Sequence, residues 1–127
     1  MSSWGPEVEW HERDVVVPTF QRWLEAQGWK TETETEFVDV VAHRGNETIY
    51  AEVKGRTKSR PGAGLDTLYG QLLRRMPAEE DLNTRFAVVI PTGAEEAALR
   101  VPRRVRGLLR IDVYAVSDDG QVEKLAD

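Results

Sequence analysis

Two apolar runs flanking a Gly-Asn pair dominate the hydrophobic pattern. They read Phe37-Val38-Asp39-Val40-Val41-Ala42-His43, then Arg44-Gly45-Asn46-Glu47, then Thr48-Ile49-Tyr50-Ala51-Glu52-Val53-Lys54-Gly55. This spacing predicts a β-hairpin with a two-residue loop at Gly45-Asn46. Arg44 then pairs with Glu47, and counting outward sets Asp39 opposite Glu52. Side chains alternate between faces along a strand. Val38, Val40, Ala42, Ile49, Ala51 and Val53 therefore form one apolar face, and Asp39, Glu52 and Lys54 share the other.

The rest of the chain reads as alternating helices and strands. Residues 7–27 predict a first helix, with Val16, Phe20, Trp23, Leu24 and Gln27 at helical spacing and Gly28 as a stop. Pro18 either kinks that helix or opens a second one. Thr31 to Glu36 alternates Thr and Glu, which is strand spacing with Glu32, Glu34 and Glu36 on one solvated face. Residues 54–60 form a basic loop, and Pro61-Gly62-Ala63-Gly64 reads as a break after it. Leu65 to Met76 predicts a helix with an apolar stripe of Leu65, Leu68, Tyr69, Leu72, Leu73 and Met76, ended by Pro77. Arg85 to Ile90 is a buried strand, Pro102 to Leu109 a short helix, and Ile111, Val113 and Ala115 alternate as a final core strand. Val122 and Leu125 leave room for a last short strand. The expected fold is α/β: a central mixed sheet of four or five strands with helices on both sides, in the order α-β-β-β-α-β-β.

Composition narrows the picture. At 127 residues the chain is expected to be one domain, 1–127, with a single core. It has no cysteine, so disulfides and thiolate metal sites are excluded. No apolar run approaches membrane-spanning length and no signal-peptide pattern opens the chain, so a soluble cytoplasmic protein is expected. The net charge of −5 hides an asymmetry: residues 54–110 carry twelve Lys/Arg against six Asp/Glu, and the remainder five against sixteen. Such segregation is either solvated faces or an acidic, metal-binding region beside a basic one that tracks phosphate.

The charged face of the hairpin carries the chemistry. Like charges directly opposite on paired strands repel, and placing them within Val/Ile-rich strands adds desolvation. A divalent cation relieves both penalties. Mg²⁺ prefers oxygen and is typically held by one or two carboxylates plus substrate phosphates. Lys54, two residues past Glu52, points to the same side, within reach of a phosphate or an attacking water.

Asp39, twelve residues, Glu52, one residue and Lys54 make a pattern that resembles the PD-(D/E)XK, or restriction-endonuclease-like, nuclease superfamily. The resemblance extends to the order of elements over roughly residues 7–116: an amphipathic helix bearing a glutamate, the motif hairpin, a helix carrying a glutamine, then another strand. One departure is Val38 in the place of the proline that often precedes the aspartate. The resemblance implies a metal-dependent endonuclease that hydrolyses phosphodiester bonds, with DNA the expected substrate. Asp39, Glu52 and the carbonyl of Val53 would hold Mg²⁺ or Mn²⁺. Lys54 would orient or help deprotonate the water. Glu12, in the first helix, and Gln71, in Tyr69-Gly70-Gln71-Leu72-Leu73-Arg74-Arg75, would position it, with Glu25 and Glu36 as lesser candidates for carboxylate support. Arg56, Lys58, Arg60, Arg74 and Arg75 would grip the nucleic-acid backbone.

Plainer readings stand beside these. Glu12 also suits an exposed first-turn glutamate, Gln71 a boundary residue, and the arginines near Arg103 either phosphate binding or salt bridges. His11 and His43 are the only histidines, with no nucleophile order or zinc spacing around them, and no Gly-Lys-Ser/Thr phosphate loop is present. The alternative function is a non-catalytic nucleic-acid-binding or assembly module on a nuclease-like scaffold. A third reading is a structural domain with a salt-bridged Asp39–Lys54–Glu52 cluster. A chain this short has little room for a recognition domain, which leaves open a homodimer or a place in a larger complex.

Overall fold

The computed structural model describes residues 6–35, 38–55 and 61–126, with side chains throughout except at 6–14, 34–35 and 61–63. Its elements run α1 (Pro6–Glu25), β1 (Lys30–Thr35), β2 (Val38–Arg44), β3 (Glu47–Val53), α2 (Pro61–Arg75), β4 (Thr84–Pro91), α3 (Glu95–Ala98), α4 (Arg103–Leu109), β5 (Ile111–Val116) and β6 (Val122–Leu125). The strands make one mixed sheet in sequential order. β1–β2, β2–β3 and β5–β6 are antiparallel, while β3–β4 and β4–β5 are parallel. The fold class expected from sequence holds, with two additions. The sheet has six strands rather than four or five because Val122–Leu125 pairs on β5. A one-turn helix, α3, precedes α4, the short helix expected at residues 102–109, between β4 and β5. Among the described residues, no helix is long and apolar enough to cross a membrane.

α1 is a single helix through Pro18, which settles the two readings of that residue. Pro18 cannot donate to the carbonyl four residues back, and the helix continues despite that missing bond. Beyond Glu25, Gly28 at φ 94° donates to the carbonyl of Glu25, and Trp29 N donates to that of Leu24. These are the paired bonds of a Schellman stop, which needs a residue free of Cβ strain at the left-handed position.

The hairpin forms in the predicted register, with Arg44 opposite Glu47 and Val40 opposite Ala51, and Gly45 at φ 61° opens the loop. Its apolar face, Val40, Ala42, Ile49, Ala51 and Val53, packs with Val16, Phe20 and Leu24 of α1. The other face of the sheet carries a second core, where Leu65, Leu68, Tyr69 and Leu72 of α2 meet Phe86, Val88 and Ile90 of β4. Tyr69 Oη donates to the carbonyl of Ala98 at 2.7 Å, tying α2 to α3.

α2 departs from its sequence reading at both ends. Pro61-Gly62-Ala63-Gly64, expected as a break, is the first turn of the helix. Proline is well suited to that first position, because its missing N–H has no partner there in any case. Leu73, expected in the apolar stripe, is exposed at 47%, since the buried arc is set by Leu65, Leu68, Tyr69 and Leu72.

Candidate active site

β2 and β3 present opposite characters on their two faces. Val40, Ala42, Ile49, Ala51 and Val53 point toward α1, so alternation sends Asp39 and Glu52 toward α2. The β2–β3 ladder ends at the Val40–Ala51 pair, and continuing the count one step places Asp39 across from Glu52. Lys54 follows at the same parity.

The ladder changes character at this point. In a two-residue hairpin closed by Arg44 and Glu47, every second pair is hydrogen-bonded, so Val53 N–H would ordinarily donate to the carbonyl of Val38. It donates to Asp39 Oδ2 at 2.7 Å. This short charge-assisted bond fixes the Asp39 side chain at the margin of β3. Asp39 is half-buried there.

Glu52 is 3% exposed. Taking a carboxylate this far from water costs several kcal/mol unless nearby charges and hydrogen bonds offset it. Arg75 Nε, from the last turn of α2, lies 3.9 Å from Glu52 Oε2. That separation is an ion pair beyond hydrogen-bonding range. Arg75 was expected on a phosphate backbone; in this state it faces the buried carboxylate.

Lys54 is held by its own strand. Its N–H donates to the carbonyl of Val89 at 2.8 Å, which extends the parallel ladder with β4 by one residue. Its side chain crosses the first turn of α2 so closely that a Cβ on Gly64 would lie 2.7 Å from Nζ. Gly64, Leu68, Gln71 and Arg75 follow at helical spacing and make one stripe of α2. Gln71 is half-buried on that stripe, whereas Arg74 is exposed.

Glu52, Lys54, Gln71 and Arg75 thus lie along the β3–α2 seam, with Asp39 at its open margin. This is the carboxyl end of the parallel strands, where ligands of open α/β sheets characteristically bind. Other predicted residues stand apart. Glu12 lies within α1 but its side chain is outside the described residues, as are Arg56, Lys58, Arg60 and Glu36 altogether. Glu25 accepts a hydrogen bond from Thr31 Oγ1, and exposed His43 bonds Thr48 beside the hairpin turn.

One participant escaped the sequence reading. Gly64 matters because Lys54 needs the space of its missing side chain, a tertiary contact no local pattern announces. By the β1–β2 register, Glu34 occupies the position across from Asp39, with its side chain outside the described residues.

The donor set suits a hard divalent cation: two carboxylates on one face of neighbouring strands, with a backbone carbonyl at Val53. Among the described residues, no third histidine or carboxylate completes a protein-only metal cluster.

Comparison with known proteins defines the fold further. No protein-family model matches the chain, and no curated protein matches it. Among solved structures, an fdxN element excision controlling factor protein from Anabaena variabilis shares the fold with a TM-score of 0.63 and 16% identity. The match covers 91% of this chain and 100% of that one. An XisH family protein from Nostoc punctiforme PCC 73102 gives a TM-score of 0.52 at 16% identity, over 87% of this chain and 97% of that one. At this identity the likeness is one of architecture: this chain has the fold of these excision-control and XisH proteins over nearly its whole length.

Proposed function

We propose that the protein is a divalent-metal-dependent nuclease of the PD-(D/E)XK type, hydrolysing phosphodiester bonds of nucleic acid, with DNA the expected substrate. One observation carries this reading. Asp39 and Glu52 face the same side of neighbouring strands, with Lys54 next on that face, at the carboxyl end of the parallel strands and beneath α2. A fold neighbour named for control of element excision suits a nucleic-acid partner.

Asp39, Glu52 and the carbonyl of Val53 would hold Mg²⁺ or Mn²⁺. The cation supplies Lewis acidity at the scissile phosphate when bound. The residues of the chain do the remainder. The Asp39–Val53 hydrogen bond keeps one carboxylate pre-set, so little reorganisation precedes binding. Lys54 brings a positive charge to the phosphate as charge grows on its oxygens, and helps orient the attacking water. Gln71, on the α2 stripe above, supplies an amide to position that water, and Glu12 is the candidate for a further carboxylate. Arg75 offsets the Glu52 charge in the resting state. Arg74 at the surface, with Arg56, Lys58 and Arg60 in the segment after Lys54, would hold the backbone.

The test is a cleavage panel of single-stranded, duplex and branched DNA and of RNA, with and without Mg²⁺ or Mn²⁺, using wild type beside Lys54→Ala. Metal-dependent cleavage lost in the variant supports the assignment. Salt-sensitive binding with no cleavage by the wild type would make the chain a non-catalytic module. Neither response would leave a structural domain with a salt-bridged cluster.

A further inference from the structure

A second concentration of charge lies at the other end of the sheet. A cavity of about 330 Å³ opens between α4, the amino-terminal ends of β4 and β5, and the end of β6. Arg85, Arg103, Arg106 and Lys124 line it, against the single carboxylate of Asp112. That carboxylate is already engaged. Arg85 Nε and Nη2 donate to its two oxygens at 2.8 and 3.0 Å, and Lys124 Nζ lies 3.6 Å away.

Arg106 is the informative member, being only 4% exposed in the folded chain. Its Nε donates to the carbonyl of Val101 at 2.9 Å, which uses one of five N–H donors. No carboxylate lies within ion-pair distance of it among the described residues. A buried guanidinium without a counter-charge is costly, and a free side chain on a helix this short could have turned to solvent instead. Holding it at the cavity wall is the arrangement expected where an anion completes the site.

We propose that this cavity binds a phosphate group, held by the Arg106 guanidinium from the wall and by Arg103 and Lys124 from the rim. Arginine forks match phosphate oxygens in a bidentate manner, and rim cations that reach in from solvent add attraction at little desolvation cost. The site is separate from the Asp39–Glu52 seam. Arg85 and Val88, the β4 partner of Glu52, are about 10 Å apart along the strand, and the cavity lies farther out still. The phosphate has two possible sources, a nucleic-acid backbone or a small phosphorylated molecule.

The experiment uses the full chain in EDTA, so that no metal bridges the ligand to Asp39 or Glu52, with pyrophosphate as the probe. The expected result is saturable shifts of the backbone amide signals of Gly107 and Ile111. Affinity should fall by about tenfold or more in the double variant Arg103→Gln/Lys124→Gln. Both residues are exposed, so that variant should fold, whereas Arg106→Met carries the risk of unfolding. Shifts that are absent, that map to α2, or that persist at equal affinity in the double variant would overturn the site. Competition then separates the sources. A blunt duplex without terminal phosphates that displaces pyrophosphate assigns the cavity to backbone phosphate, and failure to displace it assigns a small phosphorylated ligand.

Discussion

The two faces of the β2–β3 pair are built from the same backbone and do different work. Toward α1 the strands offer valine, alanine and isoleucine, and the space between is filled by Phe20, Leu24 and a cluster of rings. Phe20 stacks on Trp23 with centroids 6.0 Å apart and meets Tyr114 at 5.2 Å. Toward α2, a few ångströms away, the same strands offer two carboxylates and a lysine beneath a glycine, a glutamine and an arginine. The first face gains stability from area removed from water. The second gives some of it up, since apolar side chains of equal volume would pack there at no desolvation cost. That cost is what the proposed chemistry has to justify.

The comparison is broken most directly at Lys54. Lys54→Ala should lower metal-dependent cleavage by about 10²–10⁴-fold, the usual contribution of a positioned proton-transfer or charge-stabilising group. Its unfolding midpoint should move little. A thermal melt beside the cleavage assay checks both. A large loss of stability with it would turn the charged face into a structural one.

Phe20→Ala tests the opposite face. Phe20 is fully buried among Trp23, Tyr114 and the β-strand valines, so truncation should cost about 3–5 kcal/mol. The midpoint should fall by on the order of 10–20 °C, with the cleavage rate of the remaining folded protein nearly unchanged. Chemical denaturation and assays at low temperature separate these two quantities.

Tyr114 sharpens the distinction through pH. Burial, reinforced by Asp112, pushes its phenol up from 10.0 to about 12. The folded protein therefore holds this proton more tightly than the unfolded chain does. The resulting stability is complete below pH 10 and is lost as pH rises through about 12. The loss amounts to roughly 2–3 kcal/mol over that window. Denaturation midpoints measured across the window should fall less steeply in Tyr114→Phe than in wild type. Equal slopes would mean that the phenol is not held in a dry environment.

The two faces also differ in how much of them the sequence discloses. The apolar face was legible because the Gly45-Asn46 loop sets the register and alternation then fixes every side chain. The same counting put Asp39, Glu52 and Lys54 on one side. It could not show that Asp39 bonds Val53 N–H, because that contact forms where the ladder departs from regular pairing. Nor could it show that Arg75 turns to Glu52 while adjacent Arg74 stays in solvent, which depends on how α2 docks. Pro61-Gly62-Ala63-Gly64 looked like a break because its composition matches a turn, whereas a proline at a helix start and a glycine under a crossing side chain produce the same letters. Arg106 was grouped with the arginines around it. Its position one residue after Val105 and three before Leu109 put it on the inward arc of α4, a signal that helical spacing carried and charge obscured.

Gly64 is where the two demands meet, and its substitution separates them. In an exposed helix, Gly→Ala stabilises by about 1 kcal/mol, because alanine loses less backbone entropy. At Gly64 the added methyl would stand 2.7 Å from Lys54 Nζ, so the lysine must swing away while the backbone stays in place. A long side chain can yield at small cost, so stability should stay level or rise slightly. Activity should fall, because Lys54 can no longer lie across the first turn of α2. Gly64→Ala is therefore expected to move stability and cleavage in opposite directions, by the smallest amounts in this series. Thermal melts paired with cleavage rates read the result. A parallel fall in both would show that the close approach serves packing, and unchanged cleavage would show that the resting position of Lys54 is not the one that acts.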